Sequence, residues 1–545
     1  MRLENKTVVI PAAGLGSRLG SFTKNYSKAM CTLGRMPVIS HIINQFSNND
    51  EIIILLGYKG DLLKQVVEAC HPDKNIKFVN VDKYEGEGSG LGYSLHCAYD
   101  LLQKPFLFWS CDTILPNFDL TKRNYCKNWS VVSDKGNFED YRHMLLRGSG
   151  EFGYHVSAIL PKDADYSKKL HSYVGVSFIW DYSKFWDAFN INKDAFIAGG
   201  ESYGLVNLAD LDAYFADEWI DTGNRVIFEK YKAEYSAKME ETILEKPDEA
   251  IWFIDDRVIK FHVDPKFIAD RVTRFSTCLC DKQKAHGIEL PKLLGHSTNV
   301  YSYRRADGII ASKVITADML YDIMGKYLDV DYVSISDEDK IAIYNDFYKS
   351  KTLSRIKKYC DEYEDIDSDC IVNGVECKSA SNLVETLDWE GLAKHGIFTN
   401  NYHGDFHLEN ILVDNGKYIM LDWRQNFGKT MIGDVYYDIA KMWHSLIVNH
   451  SMVHENLFTV ENRSKKDIHI DIHRTLVDTE CEDALKSYLI CSDKYDYYIS
   501  ELMTAIIFLN IAACHVYPYS KFLFYLGKML INKFYIRHKR EFWNE

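Results

Sequence analysis

Residues 8–28 read VVIPAAGLGSRLGSFTKNYSK. A β-branched run, Val8, Val9 and Ile10, passes almost directly into Ala12, Ala13, Gly14, Leu15 and Gly16. That is a strand entering a glycine loop. Glycine admits backbone angles that other residues avoid, and it lets main-chain N–H groups approach an anion closely. Arg18 adds a planar fork of donors suited to phosphate oxygens, and Lys28 adds a point charge. A plain tight turn before a helix has no need of these cations. The loop is therefore expected to hold a polyphosphate, with Ala12, Ala13, Gly14 and Gly16 around the nucleotide and Arg18 and Lys28 acting on it. No Gly-Lys-Ser/Thr closes the loop, which excludes a Walker site. The spacing of Gly14, Gly16 and Gly20 does not fit the dinucleotide fingerprint.

The stretch resembles the signature of the sugar-phosphate nucleotidyltransferases: a glycine loop, Arg-Leu, a threonine (Thr23), then Pro-Lys, with Ser27 here in the proline's place. The resemblance implies that an NTP is held by the loop and attacked at its α-phosphorus by a substrate phosphate.

Working outward, residues 37–46 and 62–69 have helical apolar spacing, and 51–56 and 76–81 are buried strands. This alternation predicts a parallel sheet with covering helices and an α/β, Rossmann-like first domain. Ligands of such sheets sit at the carboxyl ends of the strands, where the glycine loop lies. Residues 106–113 (FLFWSCDT) are an apolar strand running into Asp112. A carboxylate at the end of a buried strand is well placed to hold Mg²⁺, which takes oxygen ligands and bridges phosphates. The nucleotidyltransferase resemblance extends to residues 218–224 (EWIDTGN), which implies that Asp221 is the second metal ligand. It also implies that Ser89, Gly90 and Ser94, within EGEGSGLGYSL (85–95), contact base and ribose. Gly175 and Glu201 would border the phosphosubstrate. A helix over 225–238 closes this domain near residue 240.

A second stretch, YHGDFHLENILV (402–413), is followed by IMLDWR (419–424) and GDVYYDIA (433–440). The order His-Gly-Asp, Asn, strand-end Asp is the kinase constellation in small-molecule form. It resembles the choline/ethanolamine kinase and aminoglycoside phosphotransferase family. The roles that follow are Asp405 on the proton of an acceptor hydroxyl, Asn410 and Asp422 on Mg²⁺, and His403, Asp434 and Asp438 as loop-ordering groups. His407 reads as structural. A hairpin over 251–263 carries Lys260, the expected ligand of the ATP phosphates. The expected second domain is thus a two-lobed, protein-kinase-like α+β fold over 245–545, with an N-lobe over about 245–312 and a mainly helical C-lobe over 313–545. Within it, one helix is expected over 337–360 and another over 382–395. The acidic stretch 363–369 reads as a solvated loop or as a site for a cationic acceptor.

At 545 residues the chain is too long for a single core, in keeping with two domains. Its net charge of −14 gives nucleic-acid binding no support. No apolar run is long enough to span a membrane and the N-terminus enters a strand without a leader. The 13 cysteines form no C-x-x-C pair and read as reduced thiols, so the cytoplasm is the expected location. The expected partners are small-molecule substrates, with self-association left open. Together the halves read as a bifunctional enzyme. One half phosphorylates a small metabolite with ATP. The other couples the phosphate to a nucleotide from a second NTP, CTP being favoured, and gives an NDP-activated precursor for cell-surface glycan or lipid decoration. The alternative is a sugar kinase joined to a sugar-phosphate nucleotidyltransferase.

Overall fold

The computed structural model describes residues 5–135, 141–149, 153–162, 169–237, 248–464 and 466–543. The expected boundary at 240–245 and the end of the expected helix at 238 lie outside them. Two compact units are present: residues 1–268 with 293–304, and residues 269–292 with 305–545.

The first unit is built on a nine-stranded sheet: β1 (Thr7–Pro11), β2 (Glu51–Leu56), β3 (Ile76–Asn80), β4 (Phe106–Trp109), β5 (Asn128–Ser133), β6 (His143–Ser149), β7 (Gly153–Leu160), β8 (Leu170–Ile179) and β9 (Leu211–Phe215). Their order is β3-β2-β1-β4-β8-β5-β9-β7-β6. The strands β3, β2, β1 and β4 run parallel, as the alternation requires. The rest of the sheet, beyond the strands the alternation covers, is mixed: β8 runs antiparallel to β4 and β5, and β6 pairs antiparallel with β7. A hairpin needs only a short turn, whereas a parallel pair needs a crossover, and no helix lies between β6 and β8 among the described residues. β1 and β2 have Val8, Val9, Ile10, Ile52, Ile53, Ile54 and Leu55 fully buried, the pattern of strands covered on both faces.

The hairpin over Glu249–Ile254 and Arg257–His262 forms, turning at Asp255 with φ 50°. It joins Val300–Arg304 and Leu293–His296 in a four-stranded sheet. This sheet falls within the first compact unit. Trp252, Ile254, Ile259, Phe261 and Val300 share one buried cluster with Val8, Ile10, Ile52 and Ile54, so apolar burial groups the hairpin with the sheet that precedes it.

The second unit is mainly helical. Its long helices are Ala317–Tyr327, Lys351–Tyr363, Val435–Ile447, Leu476–Ile490, Tyr497–Ala512 and Tyr519–Phe542. The single helix expected over 337–360 is instead Asp337–Ile343, a π-helical turn Tyr344–Ser350, and Lys351–Tyr363. The helix expected over 382–395 is broken at Leu387, whose extended backbone ends Ala380–Thr386, and the Asp388 side chain then caps Trp389–Lys394. A hairpin, Phe458–Ser464 with Asp467–Ile472, gives this unit a small sheet that the sequence reading omitted. The stretch 363–369 is an open loop with Glu364, Ile366, Ser368 and Asp369 exposed, as expected, but the Asp367 side chain is buried. Lys528, fully buried, pairs with Asp367 at 2.7 Å, and Asp367 also accepts from Ser379 and Ser381. Asp365 accepts from Tyr359 and Tyr525. No described helix is long and apolar enough to cross a membrane.

Candidate functional sites

In the first unit β1 delivers the glycine loop. Gly16 sits at φ 67° and Gly20 at φ 59°, a left-handed backbone that glycine takes without strain. Thr23 Oγ1 donates to both of their carbonyls, at 3.2 and 3.3 Å, and ties the loop into a ring. Ala12 and Ala13 are buried beneath it, and Gly14 is exposed. Ser27 has φ −62°, the angle a proline would impose, and caps the turn Lys28–Met30 through Ala29 N. Serine thus fills the expected proline position without distorting it.

Lys28 Nζ lies 2.7 Å from Asp112 Oδ2. Asp112 follows β4; Ser110 Oγ donates to its other oxygen at 2.5 Å. The short strands Thr113–Ile114 and Ile220–Asp221 pair, with Asp221 opposite Thr113. Thr222 clamps the Asp112 carbonyl with its N–H at 2.8 Å and its hydroxyl at 3.0 Å. The two carboxylates meet at Gly223. A methyl group there would fall 2.5 Å from Asp112 Oδ2 and 3.1 Å from Asp221 Oδ1, so only glycine fits. Tyr141 OH donates to Asp221 Oδ2 at 2.8 Å, and its ring packs on Trp219. Tyr141 was not singled out in the sequence, where it stands apart from every motif.

Burial opposes the charge of Asp112, but Lys28, by charge and hydrogen bond, holds its carboxyl down at about 2. Asp221 is pushed upward, first by burial and then by the negative charge of Asp112. Arg18 is exposed, yet its positive charge reaches Lys28, Asp112 and Asp221. Gly175 has φ 81°, and its carbonyl accepts from Ser110 N at 2.8 Å, beside Asp112. Glu201 is buried against Tyr173, and burial raises its carboxyl to about 7. Ser89 Oγ closes its own loop on the Gly86 carbonyl at 2.7 Å, and Ser94 Oγ donates to the Gly90 carbonyl at 3.2 Å. Gly90 packs so closely that a methyl there would stand 2.3 Å from the Ile197 carbonyl. Lys260 is buried in the strand Arg257–His262, opposite Ile251 and Tyr301.

In the second unit the loop 402–410 precedes the hairpin of Ile411–Asp414 and Lys417–Met420. His403 is fully buried; its ring nitrogen bonds the Leu421 carbonyl at 2.7 Å and joins the loop to the strand end at Asp422. Asp438 accepts from His403 N at 2.8 Å, Gly404 N at 2.7 Å and Tyr327 OH at 2.6 Å. Asp434 caps Val435–Ile447 and accepts from Tyr344 and Tyr348. Burial pushes both acids up to about 6.

Asp405 Oδ1 lies 2.7 Å from Lys441 Nζ, and its Oδ2 lies 3.6 Å from His407 Nε2. Against the cost of burial, Lys441 and then His407 hold it well below the usual carboxylate range. Burial opposes a charge on His407 too, but Asp405 and Glu409 raise it to about 9. These neighbours favour the charged form of His407 beside Asp405. Asn410 Nδ2 donates to the Asp405 carbonyl at 3.0 Å. Asp422 has φ 56°, rare for a residue with a side chain, and contacts Arg271. Arg274, fully buried, holds the carbonyls of Asn400 and Tyr402.

The structure therefore brings Lys28, Asp112 and Asp221 together, with Arg18 and Gly175 near, and separately brings together Asp405, Asn410 and the Asp422 strand end. The sequence reading passed over Lys441, Glu409 and Arg271. Lys441 was discoverable: Asp434, Asp438 and Lys441 repeat at the spacing of one helix face.

Residues 8–127 match the MobA-like NTP transferase domain, and residues 395–455 match the phosphotransferase enzyme family. The chain is 25% identical over 221 residues to choline-phosphate cytidylyltransferase of Streptococcus pneumoniae, across 38% of this chain and 86% of that protein. It is 26% identical over 147 residues to the bifunctional protein GlmU of Methanococcus vannielii, across 27% of this chain and 32% of that one. Among solved structures, a UDP-glucose pyrophosphorylase complexed with UDP-glucose is similar with a TM-score of 0.37 and 16% identity, over 43% of this chain and 100% of that one. CTP:phosphocholine cytidylyltransferase of Streptococcus pneumoniae is similar with a TM-score of 0.33 and 20% identity, over 42% and 99%. The chain carries a MobA-like NTP transferase domain at its N-terminus and a phosphotransferase domain near its C-terminus, and is a bifunctional nucleotidyltransferase and kinase.

Proposed function

We propose that the second unit phosphorylates a hydroxyl of a small metabolite and that the first transfers a nucleotidyl group, from CTP, to the phosphate so installed. The observation that carries this reading is the convergence of Lys28, Asp112 and Asp221 at Gly223, on a chain that also seats Asp405 against Lys441 in a phosphotransferase loop. The choice of CTP is supported by the likeness to choline-phosphate cytidylyltransferase. The product would be an NDP-activated precursor for cell-surface glycan or lipid decoration. Cysteines without disulfides support a cytoplasmic setting.

In the kinase step the acceptor oxygen attacks the γ-phosphorus of ATP, the bond to the bridging oxygen breaks, and ADP leaves. Asp405 orients the hydroxyl and takes its proton. In the second step a phosphate oxygen of that product attacks the α-phosphorus of the second NTP and pyrophosphate leaves. The glycine loop with Ser89, Gly90 and Ser94 seats the nucleotide, Arg18 and Lys28 hold the phosphates, and Gly175 and Glu201 border the phosphosubstrate.

Asp112 and Asp221 fit magnesium: two carboxylates share one point, and Asp221 is driven upward by burial and then by the charge of Asp112, which a divalent cation would relieve. Asn410 and Asp422 would hold the ion in the kinase unit. In both sites the metal supplies neutralisation of phosphate charge when bound.

Asp112→Asn should cut pyrophosphate release at least about a hundredfold and leave ADP formation intact, and Asp405→Asn should do the reverse. Loss of both activities in either variant would overturn the two-site reading.

A further inference from the structure

We propose that the hydroxyl compound phosphorylated by the second unit is itself an anion, bound by Lys351, Arg424 and Lys441 beside Asp405. This rests on the kinase reading of that unit.

Residues Tyr344–Ser350 form a π-helical turn, a widened turn of the kind frequent at functional sites. It leads directly into Lys351 and presents Phe347 to the same place. Lys351 Nζ stands 4.1 Å from the Phe347 ring centre and 5.6 Å from that of Tyr437. The Arg424 guanidinium is 5.4 Å from the same Phe347 ring, and its Nη1 donates to Tyr437 OH at 3.4 Å. Arg424 Nε is buried with no hydrogen-bond partner. Lys441, one turn beyond Tyr437 on Val435–Ile447, touches Asp405.

Three cations thus surround Tyr437. Although burial works against it, Lys351, Arg424 and Lys441 together hold that phenol below its ordinary range. Among the described residues Asp405 is the acid that offsets them, and it is committed to the hydroxyl. Lys351 has no ion-pair partner among the described residues; burial and the neighbouring cations lower its pKa. The nearby acid, Asp346, is spent on Lys429 at 3.1 Å at the surface. Half-buried cations without counter-ions are costly, and an aromatic face returns only part of that cost. The arrangement is short of negative charge, and an acceptor bearing a carboxylate, phosphonate or phosphate supplies it. A choline-like acceptor would meet three like charges. The acids that could recruit one, Asp365 and Asp367, are consumed by Tyr359, Tyr525 and Lys528. The anion takes no part in the bond changes: the acceptor oxygen gains the γ-phosphoryl group, ADP leaves, and the proton passes to Asp405.

The test uses the full-length enzyme with MgATP and hydroxyl acceptors matched for size: glycolate, glycerate and 2-hydroxyethylphosphonate against glycerol, ethanolamine and choline. The anions are expected to give kcat/KM for ADP formation at least about tenfold above the others, and comparison among the anions separates carboxylate from phosphonate. Lys351→Met is expected to raise the KM of the best anion at least about tenfold with the KM of ATP within about twofold. Choline or ethanolamine outperforming the anions overturns the proposal. So does a Lys351→Met variant that shifts the KM of ATP in place of the acceptor's, since the cations would then serve the γ-phosphate. If no acceptor yields ADP, the kinase reading itself fails. The anion site is then judged by acylation of Lys351, followed by peptide mass spectrometry. Glycerate or 2-hydroxyethylphosphonate should slow it at least about fivefold relative to choline chloride at equal ionic strength; equal rates overturn the proposal.

Discussion

Each unit holds a lysine against a carboxylate at the same distance: Lys28 and Asp112 at 2.7 Å, Lys441 and Asp405 at 2.7 Å. The pairs differ in their third party. Beside the first stands another acid, Asp221, which burial and then the charge of Asp112 push up. Beside the second stand Lys351, Arg424 and a protonated His407, and it is Lys351 that is pushed down. A buried ion pair of itself says little about function, because desolvation offsets much of its attraction. Its surroundings say more. The first site sets two carboxylates side by side and so suits a metal ion arriving with a polyphosphate. The second is short of negative charge and so suits an anionic guest.

The largest effects should come from removing each pair's lysine. Lys28→Met leaves the two acids with only the exposed Arg18 as a nearby cation, and pyrophosphate release should fall about a thousandfold, measured with a phosphorylated acceptor supplied from outside. Lys441→Met leaves Asp405 with His407 still 3.6 Å away, so ADP formation should fall by only about a hundredfold. Equal losses would break the comparison.

The next test replaces the glycine beside each site. Gly223→Ala drives a methyl to 2.5 Å from Asp112 Oδ2, and Gly404→Ala, at φ 81°, drives one to 2.5 Å from Arg424 Cβ. Each should cost its own activity about a hundredfold, the usual result of displacing a catalytic group by about an ångström, and leave the other activity within about twofold.

These glycines also show what the sequence could and could not disclose. Gly223 and Gly404 stand inside short motifs, so that Trp219-Ile220-Asp221-Thr222-Gly223 and His403-Gly404-Asp405 could be read as local patterns. Strand-end acids such as Asp112 were legible because an apolar run ended in a charge. The parallel half of the first sheet was legible from its alternation. The mixed half was not, since the β6–β7 hairpin depends on strand order that no local pattern records. Lys351, Arg424 and Tyr437 were equally hidden. They come from three separate segments, and the π-turn that aligns Phe347 with Lys351 looks in sequence like uninterrupted helix. The acids at 365 and 367 looked solvated for the same reason: Lys528 lies 161 residues from Asp367.

A smaller contrast lies in pH dependence. Glu201, raised from 4.5 to about 7, favours the folded state while protonated; that contribution is complete below 4.5 and is lost as pH rises through 7. His407, raised from 6.5 to about 9, stabilises as a cation; its contribution is complete below 6.5 and is lost as pH rises through 9. Asp434 and Asp438, at about 6, add losses at lower pH, so the informative quantity is the difference from a variant. Glu201→Gln should remove a slope of about 2–3 kcal/mol between pH 5 and 8, and His407→Gln should flatten the curve between about pH 7 and 10, both read from thermal unfolding. Identical windows for the two variants would contradict this assignment.

The smallest effect belongs to the exposed pair of Lys429 and Asp346, whose side chains are 83% and 45% exposed. Solvent screens such a pair and the two long side chains lose entropy in holding it, so Lys429→Ala should leave the melting temperature nearly unchanged. It frees the Asp346 carboxylate, however, at the edge of the Phe347 cluster. A carboxylate released there offers the pocket some of the negative charge it lacks and competes weakly with an anionic acceptor. The KM of the best anion should therefore rise, by no more than about twofold because water lies between. A fall in that KM would show that Asp346 does not face Lys351, and that the shortage of negative charge beside Asp405 is set by Lys351, Arg424 and Lys441 alone.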